Sequence, residues 1–211
     1  AKGASGGLQL NDTNTRNGYG ATMIGTFSLS EGTVLKILVG QMGGNSGACT
    51  SCAAGGGGGT FVTDDSNIPF IVAGGGNGEN WEHWNTDGPD ALTSNTGTHG
   101  GTVYGRAGGG GGFVSNGDDY NSQNYGMSFI NGGTGGVKAT GNSGDGGFGG
   151  GGGTLYEGGG GGGYHGGSVV PTNEYNTNYP SYGAGSYNDG SNQSNSVGGN
   201  NYHGVVIIDK L

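Results

Sequence analysis

Apolar positions in this chain are gathered into a few short stretches separated by long polar or glycine-rich ones. Leu8-Gln9-Leu10 alternates, Thr22–Leu29 carries Ile24, Phe27 and Leu29, and Thr33–Val39 is a second apolar run. Alternation of this kind predicts half-buried strands, and the Ser30-Glu31-Gly32 turn between the last two predicts a hairpin. Ile68–Ala73 reads as a buried strand, Val205–Ile208 as another near the end of the sequence, and Met127–Ile130 as a further candidate. No helical stripe survives the glycines, each of which costs about 1 kcal/mol inside a helix.

Between the strands lie glycine runs: Gly55–Gly59, Gly74–Gly76, Gly108–Gly112, Gly149–Gly153 and Gly158–Gly163, with shorter pieces at Gly132-Gly133, Gly135-Gly136 and Gly166-Gly167. Glycine makes up 59 of 211 residues, and the runs follow no fixed period, which excludes collagen. Flexible linkers are the default for such composition. These runs, however, contain almost no serine and abut apolar residues directly, as in Gly59-Thr60-Phe61-Val62, Ile71-Val72-Ala73-Gly74 and Gly112-Phe113-Val114. The alternative is an extended helix of three residues per turn, rising about 3.1 Å per residue and lacking internal hydrogen bonds. Such backbones must bond to one another, and glycine permits the close approach. Each ordered residue costs about 1 to 2 kcal/mol of backbone entropy, so only a bundle of runs can hold. Mid-run glycines such as Gly57, Gly75, Gly110, Gly151 and Gly160 are then the scaffold positions.

Charge narrows the partners. Fifteen acidic residues against six basic ones give a net charge of −9, without a Lys/Arg cluster, so neither nucleic acid nor an anionic membrane surface is an expected partner. Glu79, Glu82, Asp87, Asp90 and Asp118 read as a solvated loop face, with Arg106 the one local counter-charge. No stretch reaches the length of a membrane span, so no direct insertion is expected. Ala1 is not followed by a leader pattern, so any leader is expected to be gone already. Cys49 and Cys52 form a lone Cys-Thr-Ser-Cys; a local disulfide is preferred over free thiols and over metal or redox chemistry. Asn11 and Asn192 open possible glycosylation sequons, at a frequency that chance explains in so Asn- and Ser-rich a chain.

The pieces Gly3-Ala4-Ser5-Gly6-Gly7, Asn17-Gly18-Tyr19-Gly20-Ala21, Gly25–Gln41 with Ile37-Leu38-Val39-Gly40-Gln41, Gly55–Val62, Ile71–Gly76 and Gly147-Phe148-Gly149 through Gly167 resemble the glycine-rich domain of the anaplastic lymphoma kinase and leukocyte tyrosine kinase ectodomains, a family found also in microbial surface proteins. The resemblance implies an all-β fold: a jelly-roll-like β-sandwich from which polyglycine helices project in a hexagonal layer, without catalysis. It leaves the segments from Glu79 to Gly97 and from Thr172 to Gly199 particular to this chain. The family's domain usually begins with a strand ahead of the first piece, so a processed or partial chain, or a strand donated by a neighbour, is expected before Ala1. Residues 1–211 are expected to form a single domain, with 1–48 and 200–211 mainly sandwich strands, 53–170 mainly the glycine layer and 171–199 a Tyr/Asn-rich loop.

Candidate chemistry is sparse. His83, His99, His165 and His203 show no metal-ligand spacing, and Asp64-Asp65 and Asp118-Asp119 sit among turn residues with no apolar neighbours to separate their pKa values. No cofactor is expected; calcium in the Asp/Asn/Gly loops is the one metal considered, and the EF-hand spacing is missing. Trp81, His83 and Trp84 either cap the glycine bundle or form a binding platform. Tyr175, Tyr179, Tyr182 and Tyr187 either belong to an adaptable recognition loop or cover the glycine layer. The expectation is a non-enzymatic extracellular structural or adhesive protein, such as a subunit of a surface filament or appendage, that associates with itself or with protein or carbohydrate at a surface. A receptor ectodomain module that binds a soluble protein is the alternative.

Overall fold

The structure, a computed structural model, describes residues 1–10, 15–49, 52–80, 87–96, 107–119, 123–169 and 181–211. Its strands are β1 (Gly20–Thr26), β2 (Leu35–Leu38), β3 (Thr60–Asp64), β4 (Pro69–Ala73), β5 (Tyr187–Asn188) and β6 (Ser191–Asn200), and no helix occurs among the described residues. They form two antiparallel sheets, one pairing β1 with β6 and one ordered β2-β3-β4-β5. The fold is thus all-β and sandwich-like.

Alternation explains the packing. Met23 and Ala21 of β1 face Val62, Ile71 and Ala73 of the larger sheet, with Phe27, Leu35, Phe70, Ala1 and Val206 around them. The opposite face of β3 and β4 presents Phe61 and Val72 to Phe113, Phe129 and Tyr164. A strand buried on both faces is apolar at consecutive positions, which is why Phe61-Val62 and Ile71-Val72 stand side by side. The β3–β4 turn is fixed by Asp64, whose Oδ1 accepts from the backbone N–H of Ser66 and Ile68, and by Asn67 at φ 66°. Asparagine tolerates that left-handed conformation.

The expected hairpin is not formed. The turn exists, closed by Thr33 N–H to Ser30 O at 3.1 Å, but it carries the chain from one sheet to the other. Met23, fully buried, holds β1 face to face with β4. The partner of β1 is β6, which takes up the last part of the stretch 171–199 expected as a Tyr/Asn-rich loop. Met127–Ile130, expected as a strand, is a turn that places Phe129 between Phe61 and Phe113 at 5.0 and 5.1 Å. Of Val205–Ile208, Val205 alone makes a bridge, to Lys2.

The glycine segments are buried and bonded to one another. Gly55 and Gly58 donate to Gly44 and Gln41, Gly56 and Gly59 to Gly152 and Gly149, and Gly57 to Gly76, all at 2.9 Å. Gly159 and Gly162 donate to Ala54 and Gly57, and Gly160 and Gly163 to Gly108 and Gly111. Partner segments therefore recur at every third residue. Packing is backbone to backbone: a Cβ built on Gly57, Gly75, Gly110, Gly151 or Gly160 would fall closer than 3.0 Å to a backbone oxygen. Those five positions cannot carry a side chain without moving a neighbouring segment.

Candidate functional site: the two ends of the glycine layer

The glycine segments have a sheet end and an outer end. Turns at 113–116, 129–132, 148–150 and 164–166 lie at the sheet end, where Phe113, Phe129 and Tyr164 cover β3 and β4. Tyr187, in β5, stacks on Tyr164 at 4.8 Å, and burial together with nearby Asp189 raises its pKa. Tyr187 is therefore part of the aromatic cover of the sheet, whereas Tyr182 is exposed. A shallow groove of about 230 Å³ runs beside this cover, between Phe113, Val114, Tyr164 and His165. Asn116, also in its lining, is occupied structurally, its Oδ1 accepting from Ser128 N–H and Asn131 Nδ2.

At the outer end, polar side chains finish the bonding that glycine backbones leave open. Gly161 and Gly158, three residues apart, donate to Asn77 Oδ1 at 2.9 Å and Asn80 Oδ1 at 2.8 Å. The Asn77 amide donates onward to Ser168 O, and the Asn124 amide to Val137 O. Thr154 donates to Ala53 O. Here a side-chain amide replaces the peptide group of a missing neighbour, which a buried N–H requires. Glu79, expected in a solvated face, is fully buried, and its carboxylate accepts from Gln9 N–H at 2.7 Å and from the Thr15 hydroxyl. A buried carboxylate needs such donors to offset its desolvation. Asn77, Asn80, Asn124 and Thr154 were not singled out in the sequence; for the first two the signal was their position, Asn77-Gly78-Glu79-Asn80 directly continuing the run Gly74–Gly76.

Asp87 and Asp90 also have a partner that local sequence did not suggest. Arg16 forks onto Asp90 at 2.7 and 3.1 Å, reaches Asp87 at 3.4 Å and lies over the Tyr19 ring at 4.7 Å. The hydrogen bond to Asp90 is the main cause raising the Arg16 pKa. Asp90 accepts also from Tyr19 N–H, so the cluster ties 15–19 to 87–91. Cys49 and Cys52 are joined as a disulfide beside this end. Asn80, Ala107, Asn124 and Val169 lie at this end, whereas Ser94, ahead of the stretch 97–106, accepts from Ser186 N–H beside β5 at the sheet end. Trp81, His83, Trp84, Tyr175, Tyr179, His99, Arg106 and the sequon residue Asn11 lie outside the described residues. Asn192 is exposed in β6 at φ 48°.

Among the described residues the histidines and paired aspartates singled out in the sequence are not brought together. His203 Nδ1 accepts from Met42 N–H, His165 packs edge-on against Tyr164, and Asp118 and Asp119 are exposed. Among the described residues no group of three His, Cys, Asp or Glu could hold a metal ion, and no helix is long and apolar enough to cross a membrane. No protein-family model matches the chain, and no curated protein matches it either.

Proposed function

We propose that the chain is a non-enzymatic extracellular scaffold of a structural or adhesive protein, in which polyglycine helices hold recognition loops away from a jelly-roll-like base. The observation that carries this reading is the recurrence of bond partners at every third residue, the signature of backbones with three residues per turn. Gly55–Gly59 exchanges bonds with 4–7, 41–44, 147, 149–152, 76 and 162, a ring of neighbours that fits hexagonal packing. The resemblance to the receptor-kinase glycine-rich domains points the same way. The disulfide fits an oxidising compartment.

A layer without side chains is rigid but offers little for recognition, so specificity falls to the connections at its outer end. Replacing Trp81, Trp84, Tyr175 and Tyr179 together by Ser should shift the melting temperature by no more than about 2 °C. Binding on protein and glycan arrays should be lost, and negative-stain images of the unaltered chain should show self-association. A collapse in melting temperature with no change in binding would make these residues structural and defeat the division into scaffold and loops.

A further inference from the structure

An asparagine followed by glycine is open to a reaction that needs no enzyme, because no Cβ on the glycine hinders approach to its nitrogen. The glycine nitrogen gives up its proton and bonds to the asparagine Cγ, the Cγ–Nδ2 bond breaks, and Nδ2 leaves as ammonia. Water then opens the cyclic imide at one of its two carbonyls. Opening at Cγ gives aspartate; opening at the main-chain carbonyl gives isoaspartate, whose main chain runs through Cβ and Cγ. The sequence holds four such pairs, Asn17-Gly18, Asn77-Gly78, Asn116-Gly117 and Asn131-Gly132. Their local sequence makes them alike, and the fold separates them.

Three pairs are held fast. Asn17 and Asn77 are buried; Asn17 Nδ2 donates to Gly6 O, and the Asn77 amide donates to Ser168 O while accepting from Gly161 N–H. Asn116 is half-buried, and its Oδ1 accepts from Ser128 N–H and Asn131 Nδ2. The attacking nitrogens are held as well, Gly18, Gly78 and Gly117 donating to the carbonyls of Asn77, Gly159 and Gly126, each at 2.9 Å. Backbone presses on these glycines: a Cβ built on them would fall closer than 3.0 Å to Pro89 O, Ala54 O or Gly109 O. The side chain cannot swing over the next nitrogen until the segment has opened locally.

Asn131-Gly132 differs at each point. Both residues are exposed, in the turn 129–132. Gly132 N–H donates to Phe129 O at 3.1 Å, and nothing lies within 4 Å of the place its Cβ would take. The bond of the Asn131 amide, Nδ2 to Asn116 Oδ1 at 3.0 Å, lies at the surface. We propose that Asn131-Gly132 is the site at which the folded chain deamidates spontaneously, and that conversion loosens the turn that seats Phe129. Either product lacks the Nδ2 donor and carries a new carboxylate, so Asn116 Oδ1, which also holds Ser128 N–H, faces acceptors alone on that side. Asn131 and Gly133 both donate to Ser128 O, at 3.0 and 2.8 Å, closing the turn that sets Phe129 between Phe61 and Phe113. The site lies at the sheet end and does not depend on the proposed recognition loops.

The test is to age the 1–211 chain in warm, mildly alkaline buffer, folded in one sample and unfolded in urea in another, and to map both by mass spectrometry with enzymatic methylation of isoaspartate. In urea the four pairs should convert at comparable rates. In the folded chain Asn131 should convert at least about tenfold faster than Asn17, Asn77 or Asn116, each of which must wait for local opening. Asn131→Gln, which cannot close the same ring, should remove the fast conversion and leave the fold unchanged. Asn131 staying intact in the folded chain while it converts in urea, or any of the other three keeping pace with it in the fold, would overturn the site. The converted chain, one negative charge richer and so separable by ion exchange, is the second arm. Amide exchange at Ser128 and Phe129 should be several-fold faster there than in the unconverted chain. Equal exchange at both amides would overturn the link to the Phe129 turn.

Discussion

Two alanine substitutions, ten positions apart, separate a packed glycine layer from a solvated one. A Cβ on Gly151 would collide with Gly56 O and meet Gly147 N at 2.7 Å and Gly56 C at 2.9 Å, all backbone atoms that cannot swing aside. Relief requires the segments to part, which strains the bonds Gly147 N–H to Gly56 O at 2.9 Å, Gly136 N–H to Gly151 O at 2.8 Å and Gly151 N–H to Gly147 O at 2.9 Å. At about 1 kcal/mol each, with the cost of any N–H left buried and unpaired, Gly151→Ala should lose about 3 to 5 kcal/mol. Gly141 has nothing within 4 Å of its would-be Cβ and no positive φ. Gly141→Ala should therefore be neutral or stabilise by up to about 1 kcal/mol, by restricting the unfolded chain. For a chain of this size, each kcal/mol moves the melting temperature by about 2 to 4 °C, so thermal unfolding should separate the two variants by about 6 to 24 °C. Equal midpoints would refute backbone-to-backbone packing at Gly151.

Asn77→Leu leaves Gly161 N–H and Ser168 O unpaired within the layer and should cost about 2 to 4 kcal/mol, read as a lower urea midpoint. Reducing the Cys49–Cys52 bond, which closes a loop of a few residues, should cost no more than about 2 kcal/mol; a larger fall in melting temperature on adding reductant would show a wider role. The Ala1 ammonium sits below its ordinary pKa of 8.0, chiefly through burial and then through Lys2. Between that lowered value and 8.0 the unfolded chain binds more protons than the folded one, so stability should rise with pH through this window and lie flat below it. Nα-acetylation should flatten the dependence; an unchanged pH profile in the acetylated chain would place its origin elsewhere.

How much could be read in advance depended on what each side chain touches. β2 and β4 were legible because Leu35, Ile37 and Leu38 cluster around a single Lys36 and Phe70-Ile71-Val72-Ala73 is an apolar run. β6 was not, since Ser191–Asn200 is almost wholly exposed and pairs through its backbone, aided by side chains such as Asn195 Oδ1 accepting from Ile24 N–H. A strand that buries no side chain leaves no alternation to detect. The hairpin expectation failed because a turn sequence does not specify whether the next strand pairs beside or packs opposite. Glu79 and Arg16 owe their roles to partners 70 or more positions away, Gln9 for the first and Asp87 and Asp90 for the second. The bonding of the glycine runs, by contrast, followed from physics that sequence does carry: without side chains, buried backbones must satisfy one another.

Amide hydrogen exchange across Gly158–Gly163 tests that central claim most directly. Each of these N–H groups has a named acceptor, from Asn80 Oδ1 for Gly158 through Ala54, Gly108, Asn77 Oδ1 and Gly57 to Gly111 for Gly163. Exchange should be slowed across the whole run by at least about a thousandfold relative to an unstructured chain, as for the interior of a folded domain. Exchange near the unstructured rate anywhere within Gly159–Gly162 would show the run to be a solvated linker and contradict the account.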